Sequence, residues 1–533
     1  MTPDLESLSP FELSLYLEKK VRSIDHPKEW LNAGRGNPNW TAFVPREAYF
    51  LLGQFATEMT MRHSTGFTAG MVDTEEIYGE SLLRFLDEHP GKGSAFLRDI
   101  WENGTHFLGM AREKWLAHMM DYIIGDNYPN PERVLKACEL PIKQYLHHEL
   151  FDSDSAPFDV FAVEGGTAAI CYVFDSLVNN GLLHPKDKIA LMIPTFAPYL
   201  EIPELPQYEF DVEYIKAQPV RIDGQLSHQY PDEELNRLRN KDIKALFVVN
   251  PSNPTSDALS EATIALLQEI IQEDNPNLMI LTDDVYGTFL PKFTSLFTAI
   301  PYNTACIYSY SKYFGATGWR IGTIAVAKDN LFDHLLAKHS RREKKALNER
   351  YGTLASEPEK IKFIDRMVAD SRDIALNHAA GLSSPQQVMM VLFSLYSLLD
   401  KEHGYKKEVM AICHERETLL FDHLGLEHPL PSLSTAYYCE IDLQDWMADR
   451  YGTSFAAHVR EEWTVTDFLT RLAEEEHLML LKTDAFGSGE WTVRVSLANL
   501  ATEHYAEVGN RIVTLTDCIH QEYQSEFPSS RHQ

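Results

Sequence analysis

An α/β fold with a mostly parallel sheet is predicted for the body of this 533-residue chain. Three observations predict it. Between residues 130 and 330, short apolar runs alternate with helical runs, as in successive strand–helix units. The apolar runs are continuous rather than alternating, which is how strands buried on both faces read. Each run ends in a polar or glycine-bearing turn, and open α/β sheets bind their ligands at such strand ends.

The elements follow in order. Ser9-Pro10-Phe11-Glu12 combines a capping box with proline at the first helical position, so the chain opens with a helix. Gly91-Lys92-Gly93-Ser94 echoes part of a phosphate loop but lacks its spacing and its leading strand. Val160 to Val163 reads as a strand, followed by Gly165-Gly166-Thr167 and a helical run from Ala168 to Leu177. That turn aims backbone N–H groups at an anion, with the helix dipole in support. Without GxGxxG or Walker spacing, no nucleotide is implied.

The next strand, Ile189 to Ile193, ends at Pro194-Thr195-Phe196, where Phe196 is either a core aromatic or a ring that stacks on a planar ligand. Ala245 to Val249 leads into Asn250-Pro251-Ser252-Asn253-Pro254-Thr255, and one of its X–Pro bonds is expected to be cis. Leu278 to Leu281 leads to Asp283 and Tyr286. Cys306 to Tyr308 and Ile321 to Val326 flank a turn that carries Ser309, Ser311, Lys312 and Arg320. Arg341-Arg342-Glu343-Lys344-Lys345 fits a solvated helix. Residues 386 to 425 look helical, and residues 430 to 500 mix strands and helices as a smaller C-terminal domain would.

Lys312 is the most informative residue. A lysine on a turn between two buried strands is badly placed for a solvated role and well placed as a Schiff-base amine, because burial disfavours the ammonium. A neighbouring hydroxyl and the Arg320 fork can hold a phosphate. A carboxylate such as Asp283 at a strand end can keep a pyridine nitrogen protonated, and Asn253 and Tyr286 can donate to a ring oxygen. Together these are the parts of a pyridoxal-phosphate site.

The ordered set Gly-Gly-Thr, Asn-Pro-x-Asn-Pro-Thr, Asp-x-x-Tyr and Ser-x-Ser-Lys-x-x-Gly resembles the fold-type I pyridoxal-phosphate enzymes, the aspartate aminotransferase superfamily, from about Asn32 to Leu500. The resemblance implies a large domain with a mostly parallel seven-stranded sheet between helices, and a smaller α+β domain from both chain ends. It implies an N-terminal arm and part of the small domain over 1–54, a largely helical insertion over 55–125 and the large domain over 126–334. A helical insertion over 335–380 and the remaining small domain over 381–533 complete the division. Lys312 then corresponds to the cofactor-binding lysine, Asp283 to the pyridinium partner and Phe196 to the stacking ring. Asn253 and Tyr286 correspond to the ring-oxygen donors, and Gly166, Thr167, Ser309 and Arg320 to the phosphate cup. Arg494, in Trp-Thr-Val-Arg-Val-Ser-Leu-Ala, corresponds to the clamp on the substrate α-carboxylate. Tyr128 corresponds to the tyrosine that reaches the neighbouring subunit's cofactor phosphate, which implies a homodimer with shared active sites.

The resemblance narrows. Asn32-Ala33-Gly34-Arg35-Gly36-Asn37-Pro38 resembles the superfamily's N-terminal substrate loop with an arginine inserted. The chain also carries 128 positions from Pro38 to Gly166 and 182 from Lys312 to Arg494. Each gap exceeds what a compact aminotransferase needs by roughly fifty residues. This layout resembles the aspartate 4-decarboxylases of that superfamily. It implies conversion of L-aspartate to L-alanine and carbon dioxide, side aminotransferase activity and assembly beyond the dimer. Arg35, with Gly36 beside it, is the candidate for the β-carboxylate. A plain amino-acid aminotransferase is the alternative, sharing every residue named. A regulator built on such a domain would need a basic DNA-binding segment, and the acidic N-terminal region shows a single amphipathic helix.

A formal net charge of −30 disfavours nucleic-acid and anionic-membrane partners. An anionic substrate then needs a local cationic pocket, expected from Arg35, Arg320 and Arg494. Six cysteines show no CxxC spacing and read as reduced thiols, and no metal site is expected. With no signal peptide and no run of 18 apolar residues, a cytoplasmic enzyme is expected.

Overall fold

The computed structural model describes residues 5, 8–22, 28–62, 64, 69–129, 132–151 and 155–527. Seven strands form its central sheet: β1 (Phe158–Val163), β2 (Lys188–Ile193), β3 (Asp211–Lys216), β4 (Ile243–Val249), β5 (Met279–Asp283), β6 (Thr304–Ser309) and β7 (Gly322–Ala327). Their order is β1-β7-β6-β5-β4-β2-β3. The neighbours from β6 to β3 run parallel, and β7 alone runs against both of its neighbours. The seven-stranded, mostly parallel sheet expected from the sequence is therefore present. β1, β4, β5, β6 and β7 are almost wholly buried, which explains their uninterrupted apolar runs. The strand bounds differ from the expected apolar cores by at most two residues, because ladder bonds extend into flanking residues.

Both chain ends meet in a second unit. Strands β8 (Tyr438–Asp442), β9 (Leu481–Lys482) and β10 (Thr492–Ser496) form an antiparallel sheet in the order β8-β10-β9. Leu31–Asn32 pairs in parallel with Leu478–Met479, tying the N-terminal segment to the C-terminal part. Helix α1 (Pro10–Val21) packs on the Val465–Glu476 helix, and its Ser9–Glu12 capping box forms as expected.

Five helices form a layer against the large domain: α2 (Phe43–Arg62), α3 (Gly79–Glu88), α4 (Lys92–Asn103), α5 (Arg112–Ile124) and α6 (Lys136–Glu149). They join the Ser384–Leu399 helix, which packs on α2, α4, α5 and α6. Lys92 opens α4, and the Gly93 N–H donates to the Glu47 carboxylate at 2.7 Å, so an acidic side chain occupies the phosphate-loop echo. Arg341 opens a capped, largely exposed helix, Arg341–Tyr351, as expected of the basic cluster. The helical stretch after Ser384 divides into Ser384–Leu399 and Gly404–Leu424. The break falls at Asp400–His403, where His403 has a positive φ of 50°.

Candidate active site

The C-terminal ends of β1, β4, β5 and β6 open onto one cavity of about 330 Å3. Gly166, Thr167, Phe196, Asn253, Asp283, Tyr286, Ser309, Lys312, Arg320, Arg494 and Gly36 all line it, so residues spread over some 460 positions of sequence converge there. Strand ends make this convergence possible: parallel strands stop at one edge, and the turn after each projects a side chain into the same space.

Lys312 follows β6. Its Nζ donates to the Gly36 carbonyl at 2.8 Å, and the Tyr437 hydroxyl donates to the same oxygen at 3.0 Å. Ser309 and Ser311 sit beside the lysine, with the Ser309 hydroxyl donating to Ser311 at 2.9 Å. Gly165 has a φ of 89°, and a Cβ there would stand 2.6 Å from Arg320 Nη2. Only glycine lets the backbone turn into helix α7 (Gly166–Asn179) so close to that guanidinium. The first turn of α7 has no side-chain cap, which leaves its N–H groups aimed at the cavity end where Arg320 and Ser309 stand. Arg320 itself is held at a φ of 54°, with Nη1 donating to the Thr317 carbonyl at 3.0 Å.

Asp283, the last residue of β5, also lines the cavity. The Tyr199 hydroxyl donates to it at 3.2 Å and the Val285 N–H at 3.3 Å. Neither partner is a cation. Burial pushes its carboxyl up to about 7, with the adjacent Asp284 charge adding to the effect and the Val285 N–H opposing it. Asp284 is pushed up to about 6 by the same burial, although Ser295, Thr282 and Cys306 donate to it. A buried carboxyl on the cavity wall with no cation hydrogen-bonded to it suits a protonated ring nitrogen, and the uncapped helix end with Arg320 suits a phosphate. The residues present therefore fit pyridoxal phosphate.

The consequence for stability follows from linkage. An unfolded Asp titrates near about 3.9, so between about pH 4 and pH 7 the folded cofactor-free protein holds a proton that the unfolded chain releases. The stability this contributes is complete below about pH 4 and is lost as pH rises through about 7. In cofactor-free protein, Asp283→Asn should melt progressively higher than the native chain as pH rises from about 5 to about 8. A melting difference that stays constant over that range would contradict the assignment.

Arg494, on β10, is 2% exposed. It donates through Nη1 to Asn253 Oδ1 at 2.9 Å and through Nη2 to the Gly34 carbonyl at 2.8 Å. Its guanidinium lies 4.1 Å from the Tyr438 ring centroid and 5.1 Å from that of Phe486, and its Nε has no hydrogen-bond partner. The contact with Asn253 Oδ1 leaves the amide N–H2 end of Asn253 as its donor. The Asn250–Pro251 bond in this turn is cis, as expected of one bond there, and Ile193–Pro194 is a second.

Two predicted residues stand elsewhere. Arg35 does not line the cavity: its side chain is 54% exposed and pairs with Glu18 of α1 at 3.1 Å. Tyr128 is 72% exposed on the outer surface. Conversely, Phe11, Asn37, Ser311 and Tyr438 also line the cavity, and Tyr199 supports Asp283 from behind. Of these, Ser311 is the hydroxyl next to Lys312 in the sequence. Tyr438 carried one sequence signal: it sits in a strand-like run, Tyr-Tyr-Cys-Glu-Ile, that pairs with the Arg494 strand.

Gly36 has its own requirement. A Cβ on it would stand 2.5 Å from the Tyr438 hydroxyl and 3.5 Å from Lys312 Nζ. Gly36→Ala should therefore push the Tyr438 hydroxyl aside and crowd Lys312, lowering turnover by roughly 100-fold while leaving the melting temperature nearly unchanged. Unaltered steady-state kinetics in that variant would contradict the crowding.

A lysine on a strand-end turn, a buried carboxyl and an anion cup at one edge of this sheet define the aminotransferase class of α/β enzyme. Comparison with known proteins agrees, and the chain belongs to the aminotransferase class I and II family, whose model matches residues 142–512. A bifunctional aspartate aminotransferase and L-aspartate β-decarboxylase from Pseudomonas sp is 43% identical over 98% of this chain and 98% of its own. An aspartate aminotransferase from Pyrococcus horikoshii is 26% identical over 34% of this chain and 44% of its own. Two solved structures share the fold. A double mutant of Thermus thermophilus aspartate aminotransferase covers 96% of this chain and 98% of its own at 16% identity, with a TM-score of 0.56. An aromatic aminotransferase from Pyrococcus horikoshii covers 95% of this chain and 100% of its own at 15% identity, also with a TM-score of 0.56.

Proposed function

We propose that this chain is a pyridoxal-phosphate enzyme that removes the β-carboxyl of L-aspartate as carbon dioxide, leaving L-alanine, with aspartate aminotransferase as a second activity. The observation that carries this reading is the 43% identity, over 98% of both chains, to the bifunctional Pseudomonas enzyme.

The site residues take roles that fit. Lys312 would hold the cofactor and, once released by substrate, move the Cα proton. Asp283 would pair with the ring nitrogen, Asn253 and Tyr286 would donate to the ring oxygen, and Phe196 would cover a ring face. Gly166, Thr167, Ser309 and Arg320 would hold the phosphate. Bound there, the cofactor supplies an electron sink for the bonds broken at the substrate. Arg494 would hold the α-carboxylate as a fork donor. Arg35 would reach the β-carboxylate after giving up Glu18, with Gly36 keeping the entrance narrow. Decarboxylation and amino transfer use the same residues, so their ratio rests on how the β-carboxylate is held and how well water is excluded.

Tyr128 would reach the cofactor phosphate of a second subunit, making the active unit a homodimer with shared sites, itself part of a larger homo-oligomer; its exposure at the surface supports this reading. The helical segments 55–125 and 335–380 are the source proposed for those further contacts. Six free thiols support a reducing compartment, the cytoplasm. Among the described residues no helix is long and apolar enough to cross a membrane.

Carbon labelling tests the reading. With aspartate labelled at its β-carboxyl carbon, the label should leave as carbon dioxide. With the label at the α-carboxyl carbon, it should remain in alanine. Label from the α position in the gas would overturn the proposal.

A further inference from the structure

We propose that Tyr438 is the acid that protonates Cβ of the substrate after the β-carboxyl has departed, an assignment that rests on the decarboxylase reading above. The tyrosine lies on β8 and lines the cavity beside Lys312. Its hydroxyl and Lys312 Nζ flank one small space, since a single Cβ on Gly36 would contact the first at 2.5 Å and the second at 3.5 Å. Cα and Cβ of a substrate are about 1.5 Å apart. The group that serves Cβ must therefore stand close to the lysine that serves Cα, and Tyr438 does.

The other proton carriers on the cavity wall are engaged. Asp283 is held by the Tyr199 hydroxyl and the Val285 N–H. Tyr286 is committed as a donor, to the Tyr438 oxygen at 3.2 Å in the cofactor-free site and to the ring oxygen in the reading above. Arg494 lies over the Tyr438 ring at 4.1 Å, and Tyr437 donates to Gly36 rather than to Tyr438. Burial opposes ionisation of Tyr438, but the Lys312 and Arg494 charges and the Tyr286 hydroxyl outweigh it, and the phenol is held below its ordinary value. Tyr286 and Tyr437, buried at the same spot, are both pushed well above theirs, chiefly by burial. Of the three phenols, Tyr438 gives up a proton most readily, which suits a general acid.

The step balances. The Cβ–carboxyl bond breaks and carbon dioxide leaves without its bonding pair. That pair is returned to Cβ, which takes the proton of Tyr438 as the O–H bond breaks. The phenolate, beside two cations, regains a proton from the Lys312 ammonium, which is restored from solvent. One proton is consumed per carbon dioxide released.

Tyr438→Phe keeps the ring under Arg494 and removes the hydroxyl. Carbon dioxide release should fall by at least about 100-fold, and the ratio of carbon dioxide to oxo acid formed from aspartate by at least about tenfold. Ultraviolet titration of cofactor-free protein should show one phenol ionising below the ordinary range in the native chain and none in the variant. Equal loss of both reactions, or unchanged carbon dioxide release, or a titration identical in the two proteins would overturn the assignment. Native enzyme that forms oxo acid but no carbon dioxide would instead overturn the decarboxylase reading, and the titration would still report on Tyr438 alone.

Discussion

Replacing Lys312 by alanine is expected to abolish both decarboxylation and amino transfer, with a loss of at least about 1000-fold in turnover. Two losses combine: the amine that holds the cofactor, and the base that moves the Cα proton. The folding cost should be small. Lys312 is partly exposed to the cavity, and its hydrogen bond to the Gly36 carbonyl is duplicated by Tyr437. A stability change below about 1 kcal/mol is expected for such a site. Circular dichroism and melting should thus match the native chain, while the visible absorbance of lysine-bound cofactor disappears. Near-normal turnover in Lys312→Ala would refute the assignment of this residue.

Arg494→Ala is expected to have the second-largest effect. This guanidinium is buried between Tyr438 and Phe486 and is held by Asn253 and Gly34, so its fork is oriented before any ligand arrives. Truncation removes the charge assigned to the substrate α-carboxylate, and it also takes from Asn253 Oδ1 the Arg494 Nη1 donor. The KM for aspartate should rise by about 100-fold, from the ~2–3 kcal/mol that a charge-assisted bidentate contact contributes. Alanine, which keeps the α-carboxylate and lacks the β, should weaken as an inhibitor to a similar degree. Arg494→Lys should recover part of the loss, because it restores charge without the fork. If aspartate weakens and alanine does not, Arg494 faces the β-carboxylate and the two arginine roles are reversed.

The parts of this site that sequence could reveal share one property. Gly166, Asn253 and Lys312 each follow an almost wholly buried strand by a few residues and Asp283 ends one, so an apolar run marks the strand and its polar end marks the position. Local pattern then suffices, because a parallel sheet delivers all these turns to one edge. Tyr438 and Tyr199 lack such a marker. Tyr438 enters from the other unit through a long-range pairing of β8 with β10, and Tyr199 follows the Ile193–Pro194 turn with its hydroxyl behind Asp283. Neither contact is written in the neighbouring residues.

Arg35 shows the opposite limit. The loop around it was readable, but the partner of its side chain is Glu18, which α1 brings across from a segment that periodicity alone would describe as a charged helix face. Helix continuity after Ser384 failed for a local reason: the segment from Asp400 to His403 leaves the helical region within an otherwise helical composition.

The most direct test of the whole account is a product balance on the native enzyme. Protein, pyridoxal phosphate and L-aspartate are mixed without any 2-oxo acid, and carbon dioxide and alanine are quantified over many turnovers. The account predicts sustained release of the two in equal amounts. A single burst of oxaloacetate, with nothing further until 2-oxoglutarate is added, would contradict it and leave an aminotransferase.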